Sequence, residues 1–237
     1  MNYQIITGYW AGNNSQNIPA QNRADFFTKY WYPNTARYAD ISNLLVINSN
    51  SSHLPEKKGQ WLDLIFNLGH VHDLDNNDYP NKKFGGWSMA FVIGALTAYS
   101  NNCDLIFKEQ DCLTFGNWIE EMYKTLKETQ SHMLIGSPSH ANGQALEQSL
   151  FIIKHNLILP FITAYLALPY NDSGFNYFRP EAKFKKIIED NFSDQVSELS
   201  FGYGRGRPSN LINSVDNEIF YIQHITTEEL LTLNEYI

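Results

Sequence analysis

The sequence predicts an α/β layer protein: a mixed, mainly parallel sheet flanked by helices. Three observations carry that expectation. Short apolar runs alternate with helical patterns along the whole chain, the order that builds a sheet covered by helices. The runs are continuous, as in "YQIIT", "NLLVI" and "DLIF", which suits strands buried on both faces. The length of 237 residues, 43% of them hydrophobic, fills one such structure and does not force a second.

The elements follow in order. "YQIITGYW" reads as a strand ending at Gly8, and "RADFFTKYWYPNTARYA" as a helix interrupted near Pro33. Asn43–Asn50 is a strand leading into the polar loop "SSHLPEKKG". "QWLDLIFNLGH" fits a strand or a short helix, and "HDLDNNDYPNKK" a loop. In "GGWSMAFVIGALTAYS", Trp87, Ala90, Phe91, Gly94 and Ala98 share one side at helical spacing. "DLIF" is a strand, "GNWIEEMYKTLKETQ" a helix and "HMLIGSP" a strand. "ALEQSLFIIKHN" reads as a helix continuing through Leu168 with a kink at Pro160. "EAKFKKIIEDN" is a helix, "EIFYIQHI" a strand, and "TTEELLTLNEYI" a last helix with Thr226 or Thr227 as N-cap.

Composition excludes several classes. A formal net charge of −8 without a Lys/Arg run gives no electrostatic reason to bind nucleic acid. The two cysteines, Cys103 and Cys112, suggest no disulfide framework and fit a cytoplasmic protein. The N-terminus lacks the pattern of a signal peptide. Leu157–Leu168 is too short to span a bilayer and reads as a buried helix, leaving room only for a peripheral membrane contact. No phosphate loop, nucleophile elbow or Cys-x-x-Cys occurs. Aromatic residues at 14% suit a core and also sugar or base pockets.

In open α/β sheets ligands bind beyond the carboxyl ends of the strands. Three such ends carry polar or aromatic residues: "TGYW", "NSN" and "KEQD". In the last, Glu109 and Asp111 are two residues apart, so an extended backbone sends both carboxylates the same way. Two such carboxylates repel unless a cation sits beside them, and a hard divalent ion fits oxygen ligands. Read alone, the triplet fits a helix start equally well, with Asp111 capping the turn.

Upstream context points one way. Lys83, Gly86, a small-residue helix with Ala90, Gly94 and Ala98, then Asp104 and a strand ending in Glu109-Gln110-Asp111 follow one another. This order resembles the nucleotide-binding core of GT-A glycosyltransferases, where such a helix leads into a strand ending in an Asp-x-Asp motif. The resemblance covers residues 1 to about 160, and Glu109 departs from it by replacing the first Asp. It implies one GT-A domain over 1–237, with a nucleotide-sugar half to about 115 and an acceptor half from about 116. It implies Mn²⁺ or Mg²⁺ on Asp111, with Glu109 on the metal or the ribose, and His224 as a third metal ligand. Thr7, Gly8 and Tyr9 would lie by the base and ribose, with Tyr9 or Trp10 free to stack, and Asn48 would read the base edge. Lys83 and Gln110 would join the donor pocket, and Arg205 and Arg207 in "SFGYGRGRPSN" would meet the diphosphate. Glu147, taken as a residue early in a helix, matches the base of an inverting enzyme. Each has a plainer reading: a turn at Gly8, a core Trp10, an exposed helix glutamate at 147, a hydrogen-bonded His224.

The function implied is a metal-dependent glycosyltransferase moving a sugar from a nucleotide-diphosphate donor to a glycan or other hydroxyl acceptor. Tyr170, Phe175, Tyr177 and Phe178 are available to face the acceptor sugar. Two alternatives stay open. A sugar-phosphate nucleotidyltransferase would carry a basic Gly-rich loop after its first strand, and "GYWAGNNSQN" has no basic residue. A non-catalytic glycan- or nucleotide-binding domain would keep the fold without needing Glu147. A competing metal cluster, His70, His72, Asp73, Asp75 and Asp78, fails the EF-hand template because Asp78 and Phe84 stand where Gly and Glu are needed.

Overall fold

The computed structural model describes residues 1–12, 20–65, 85–137, 145–168, 180–204, 219–233 and 237. Nine strands run β1 (Tyr3–Tyr9), β2 (Leu44–Ser49), β3 (Gln60–Leu64), β4 (Asp104–Lys108), β5 (Cys112–Phe115), β6 (Met133–Gly136), β7 (Glu147–Ile153), β8 (Val196–Glu198) and β9 (Phe220–Gln223) among the described residues. The helices are α1 (Ala20–Phe26), α2 (Tyr32–Tyr38), α3 (Gly85–Ser100), α4 (Trp118–Thr129), α5 (His155–Ala167), α6 (Pro180–Ile187) and α7 (Thr227–Leu233).

Seven strands form one sheet in the order β3-β2-β1-β4-β7-β6-β8, and β5 pairs with β9 in a separate ribbon. β1, β2, β3 and β4 are mutually parallel, β6 pairs parallel with β8, and β7 runs antiparallel to both β4 and β6. The carboxyl ends of β1, β2, β4 and β6 therefore share one edge with the start of β7.

The buried strand residues divide by the period of two that a sheet dictates. Ile5, Leu44, Val46, Ile106, Leu150 and Ile152 face one core layer with Phe27, Trp31, α4 and the β5–β9 ribbon. Ile6, Leu45, Ile47, Leu105, Phe107, Phe151 and Ile153 face the other layer with α3, α5 and α6. Small residues let α3 lie close on β1. A Cβ at Gly94 would meet Ile6 at 2.2 Å, and one at Gly8 would meet Ala90 at 2.8 Å. Gly8 thus serves helix–strand approach rather than a turn. The final helix starts in a reciprocal cap: the Thr226 hydroxyl accepts from Glu229 N–H at 3.3 Å, and the Glu229 carboxylate accepts from Thr226 N–H at 2.8 Å.

Three expectations are corrected. "ALEQSLFII" is not helical: Glu147–Ile153 is β7, buried along its whole length between β4 and β6. Helix α5 begins only at His155, with Pro160 inside it. The chain stays helical past Pro33, because a π turn at Phe27–Trp31 joins α1 to α2 there and accommodates the proline's missing N–H. A further strand, β5, stands between the acids and α4, so the acids do not start that helix. The ambiguous "QWLDL" stretch is strand β3. Among the described residues, no helix is long and apolar enough to cross a membrane.

Lys108 ends β4 with its ammonium fully inside the core. It donates to Asn34 Oδ1 at 3.1 Å, Thr35 Oγ1 at 2.8 Å and Thr114 Oγ1 at 3.0 Å, and lies 5.0 Å from the Trp31 ring centre. All three ammonium protons are used, yet every partner is neutral, so burial pulls its pKa down to about 7. In the unfolded chain this group titrates near ~10.4. Between those values the unfolded chain binds more protons than the native one, so this lysine makes stability rise with pH. The buried Cys112 thiol, held up by burial, acts in the opposite sense above its unfolded value of ~8.5. Denaturant unfolding from pH 7 to ~8.5 should therefore show a gain of about 2 kcal/mol that Lys108→Met lacks. Equal slopes in the two proteins would refute the assignment.

Candidate functional site

The Glu-Gln-Asp stretch is a turn, not a continuing strand. Cys112 N–H donates to the Glu109 carbonyl at 3.0 Å, closing a four-residue turn from β4 into β5. The two carboxylates converge because a third residue joins them, not because they share a strand face. Gln223, at the end of β9, lies opposite Cys112 in the ribbon. Its amide nitrogen donates to Glu109 Oε2 and, at 3.0 Å, to Asp111 Oδ1.

Other partners fix the turn. Trp87, at the head of α3, donates its indole N–H to Glu109 Oε1 at 2.8 Å. Trp31 donates to the Glu109 carbonyl at 2.7 Å, and Glu109 N–H donates to the Ser149 carbonyl of β7 at 2.8 Å. Gln110 points back to β1: its amide accepts from Trp10 N–H at 2.9 Å and donates to the Trp10 carbonyl at 3.2 Å. The middle residue of the triplet thus clasps the chain just past β1 rather than reaching outward.

Asp111 is the more open acid. Its Oδ2 lies 3.6 Å from His224 Nε2, with the Asp111 and His224 side chains 38% and 58% exposed. His224 adopts a left-handed φ of 56°, a conformation that residues other than Gly and Asn take infrequently, where the ribbon ends. Two donor atoms each ~2.1 Å from one ion stand roughly 3–3.5 Å apart, so a shared divalent cation would draw this pair slightly closer than 3.6 Å; among the described residues no group of three or more His, Cys, Asp or Glu side chains is gathered as for a metal ion. Both Glu109 oxygens already accept hydrogen bonds from the protein, which suits that residue to holding the turn.

Glu147 reaches the same edge by a route the sequence did not suggest. Because β7 is antiparallel to β4, its first residue lies beside the ends of β4 and β6, opposite Gly136. The carboxylate is fully buried, and Oε1 accepts from Ser149 N–H at 2.9 Å and from the Ser149 hydroxyl at 2.6 Å. A Cβ on Gly204 would meet Glu147 Oε2 at 2.7 Å, so that glycine lies directly on the carboxylate. Gly204 also accepts from Gln223 N–H at 3.1 Å. Arg205 and Arg207 follow immediately in sequence and lie outside the described residues, as do Lys83, the His70–Asp78 cluster and the aromatics at 170–178.

The β1 and β2 ends differ from expectation. Thr7 is fully buried. Tyr9 is a core residue, its ring edge-on to Phe27 and Trp61 and its hydroxyl donating to the His53 carbonyl at 2.9 Å. Trp10 is 4% exposed, with the Arg23 guanidinium 5.5 Å from its ring centre. Neither ring presents an open stacking face. Asn48 donates to Asp63 Oδ1 at 3.1 Å and accepts from Ser51 N–H at 3.1 Å, so its amide orders β3 and the following turn. Asp63, held below the usual carboxylate range first by its hydrogen bond from Lys57 and then by Asn48, is the exposed acid at that end. Sequence reasoning missed Arg23, Trp87, Gln223 and Asp63. Only Gln223 carried a local signal, as the neighbour of His224 in "YIQHI".

No protein-family model matches the chain, and no curated protein matches it in sequence. Solved structures do. A crystal structure of residues 1–349 of TarS from S. aureus superposes with a TM-score of 0.50 at 11% identity, covering 94% of this chain and 60% of that one. The two share a fold, and in this chain it is the expected GT-A-type arrangement, a mixed, mainly parallel sheet flanked by helices. It spans about three fifths of the length of the TarS structure.

Replacing Gln223 by Met keeps length while removing the shared donor. Two hydrogen bonds to carboxylates go, so unfolding free energy should fall by about 2–3 kcal/mol. A loss below ~0.5 kcal/mol in denaturant titrations would show that the amide does not hold the acids together.

Proposed function

We propose that this chain is a metal-dependent glycosyltransferase that transfers a sugar from a nucleotide-diphosphate donor to a hydroxyl acceptor in glycan biosynthesis. One observation carries the reading. At the carboxyl edge of a GT-A-type sheet, an acid turn and an imidazole converge where Asp111 Oδ2 and His224 Nε2 lie 3.6 Å apart.

Asp111 and His224 would hold Mn²⁺ or Mg²⁺, and Glu109, bound by Trp87 and Gln223, would set the position of Asp111. Bound there, the ion would supply charge neutralisation for a leaving diphosphate. Arg205, Arg207 and Lys83 add donors for phosphate oxygens. At the end of β1, buried Thr7 and Tyr9 and the Gly8 between them would stand behind the base and ribose, and Gln110 keeps the chain just past them joined to the acid turn. Asn48 acts through Asp63, which stands nearer to where a base edge would be read. Glu147 serves as general base if the reaction inverts, removing the acceptor hydroxyl's proton. Its carboxylate lies under Gly204, so an acceptor reaches it only when the backbone at Gly204 withdraws.

A thermal-shift screen of UDP, GDP and dTDP sugars with and without Mn²⁺ tests this. At ligand near ~100 Kd, one donor with Mn²⁺ should raise Tm by about 5 °C or more. Asp111→Ala should abolish the rise and His224→Ala should weaken it. Glu147→Gln should leave the donor shift intact and slow turnover at least ~100-fold. No shift with any donor, in the presence or absence of Mn²⁺, would contradict the proposal.

A further inference from the structure

Arg23 stands at the acid turn without an assigned role. Its guanidinium lies over Trp10, 5.5 Å from the ring centre. Trp10 is a fixed support: Gln110 grips its backbone, and Gly12 lies against its edge, where a Cβ would approach ring atoms to 2.5 Å. The guanidinium is thus carried on the acid turn through Gln110 and Trp10. Its Nε is buried with no hydrogen-bond partner among the described residues. A buried guanidinium nitrogen without an acceptor is costly, and such groups ordinarily find one. Burial draws its pKa down, and the Asp111 carboxylate, then Tyr9, oppose this.

Among the described residues, the acid turn itself offers a diphosphate no surplus positive charge. A divalent ion bound at the turn adds two positive charges, and Glu109 and Asp111 cancel them. The turn and its ion together would then carry no net charge toward a diphosphate. Lys108 does not help, because its ammonium points into the core toward Asn34, Thr35 and Thr114. Arg23, over Trp10, is a cation whose charge the Asp111 carboxylate favours.

We propose that Arg23 is a diphosphate-binding arginine of the site, placing its planar fork against phosphate oxygens from its position over Trp10. This rests on the glycosyltransferase reading for the nucleotide, but the anion itself is recognised by the guanidinium alone. The planar donor pair of a guanidinium favours a two-oxygen anion over a hydroxyl or a neutral base.

Calorimetric titration of the full chain in Mn²⁺ tests it, with inorganic pyrophosphate, with UDP, GDP and dTDP, and with the corresponding nucleosides. Arg23→Gln should weaken pyrophosphate and the preferred nucleoside diphosphate about 10- to 100-fold and leave nucleoside binding unchanged. Arg23→Lys retains the charge and loses the fork, so it should show an intermediate loss of about 10-fold; it also serves as the informative variant if Arg23→Gln fails to fold. Wild-type binding of diphosphates that neither variant weakens would overturn this inference and leave the glycosyltransferase reading standing. Arg23-dependent pyrophosphate binding without any nucleoside diphosphate binding would support the inference and sink the glycosyltransferase reading. Absence of any anion binding by the wild type would overturn both.

Discussion

One amide nitrogen, on Gln223, donates to two carboxylates from a turn more than a hundred residues earlier in the chain. The rest of the candidate site depends on that contact. Two acids in one tight turn repel, and without a shared donor they would splay. Gln223 places them side by side and ties the β5–β9 ribbon to the edge of the main sheet. The ribbon then delivers the next residue, His224, beside Asp111, and Gly204 over Glu147. A neutral amide suits this task. It attracts both carboxylates but adds no charge, so the pair keeps its negative potential toward a cation.

The contact works because the turn rests on rigid surroundings. Trp31, Trp87 and Gln110 fix three further points of the turn, and Lys108 anchors the strand behind it. Lys108 also binds the α2 residues Asn34 and Thr35 to β5 through Thr114, while Asn34 bonds Thr114 at its carbonyl and amide. Each polar atom of this inner group has a partner, which is what allows an ammonium to sit in an aromatic cage. The aromatic richness that suggested a sugar pocket is thus largely spent on the core: Tyr9, Trp10, Trp31, Trp118 and the cluster around Phe91 and Phe184 are buried. The exposed chemistry of the edge is polar.

The fold was legible wherever a run of apolar residues was continuous and locally unambiguous, as in β1, β2, β4, α3 and α4. It was not legible where non-local pairing decided. Leu146, Leu150, Ile153 and Leu157 recur at helical spacing, yet pairing with β4 and β6 makes the stretch before Lys154 a strand. The run Leu150–Ile153, continuous and rich in β-favouring residues, was the contrary signal. Short β5 and β8, of four and three residues, went unread because their pairing with β9 and β6 is what makes them strands. Within the site, acid positions could be read from the end of a greasy strand, and His224 from its order in the chain. Their geometry could not, since a turn and a distant glutamine bring them together. The same holds for Arg23, whose place over Trp10 depends on tertiary packing that no spacing records.

The central claim is that the Gln223-held acid turn anchors a divalent ion to a nucleotide diphosphate. Pulsed electron paramagnetic resonance of Mn²⁺ bound to the full chain with a nucleoside diphosphate tests it most directly. The account predicts a bound ion coupled to one imidazole nitrogen, from His224, and to phosphorus of the diphosphate, with both couplings lost in Asp111→Ala. A bound ion without nitrogen or phosphorus coupling, or couplings unchanged in Asp111→Ala, would contradict it.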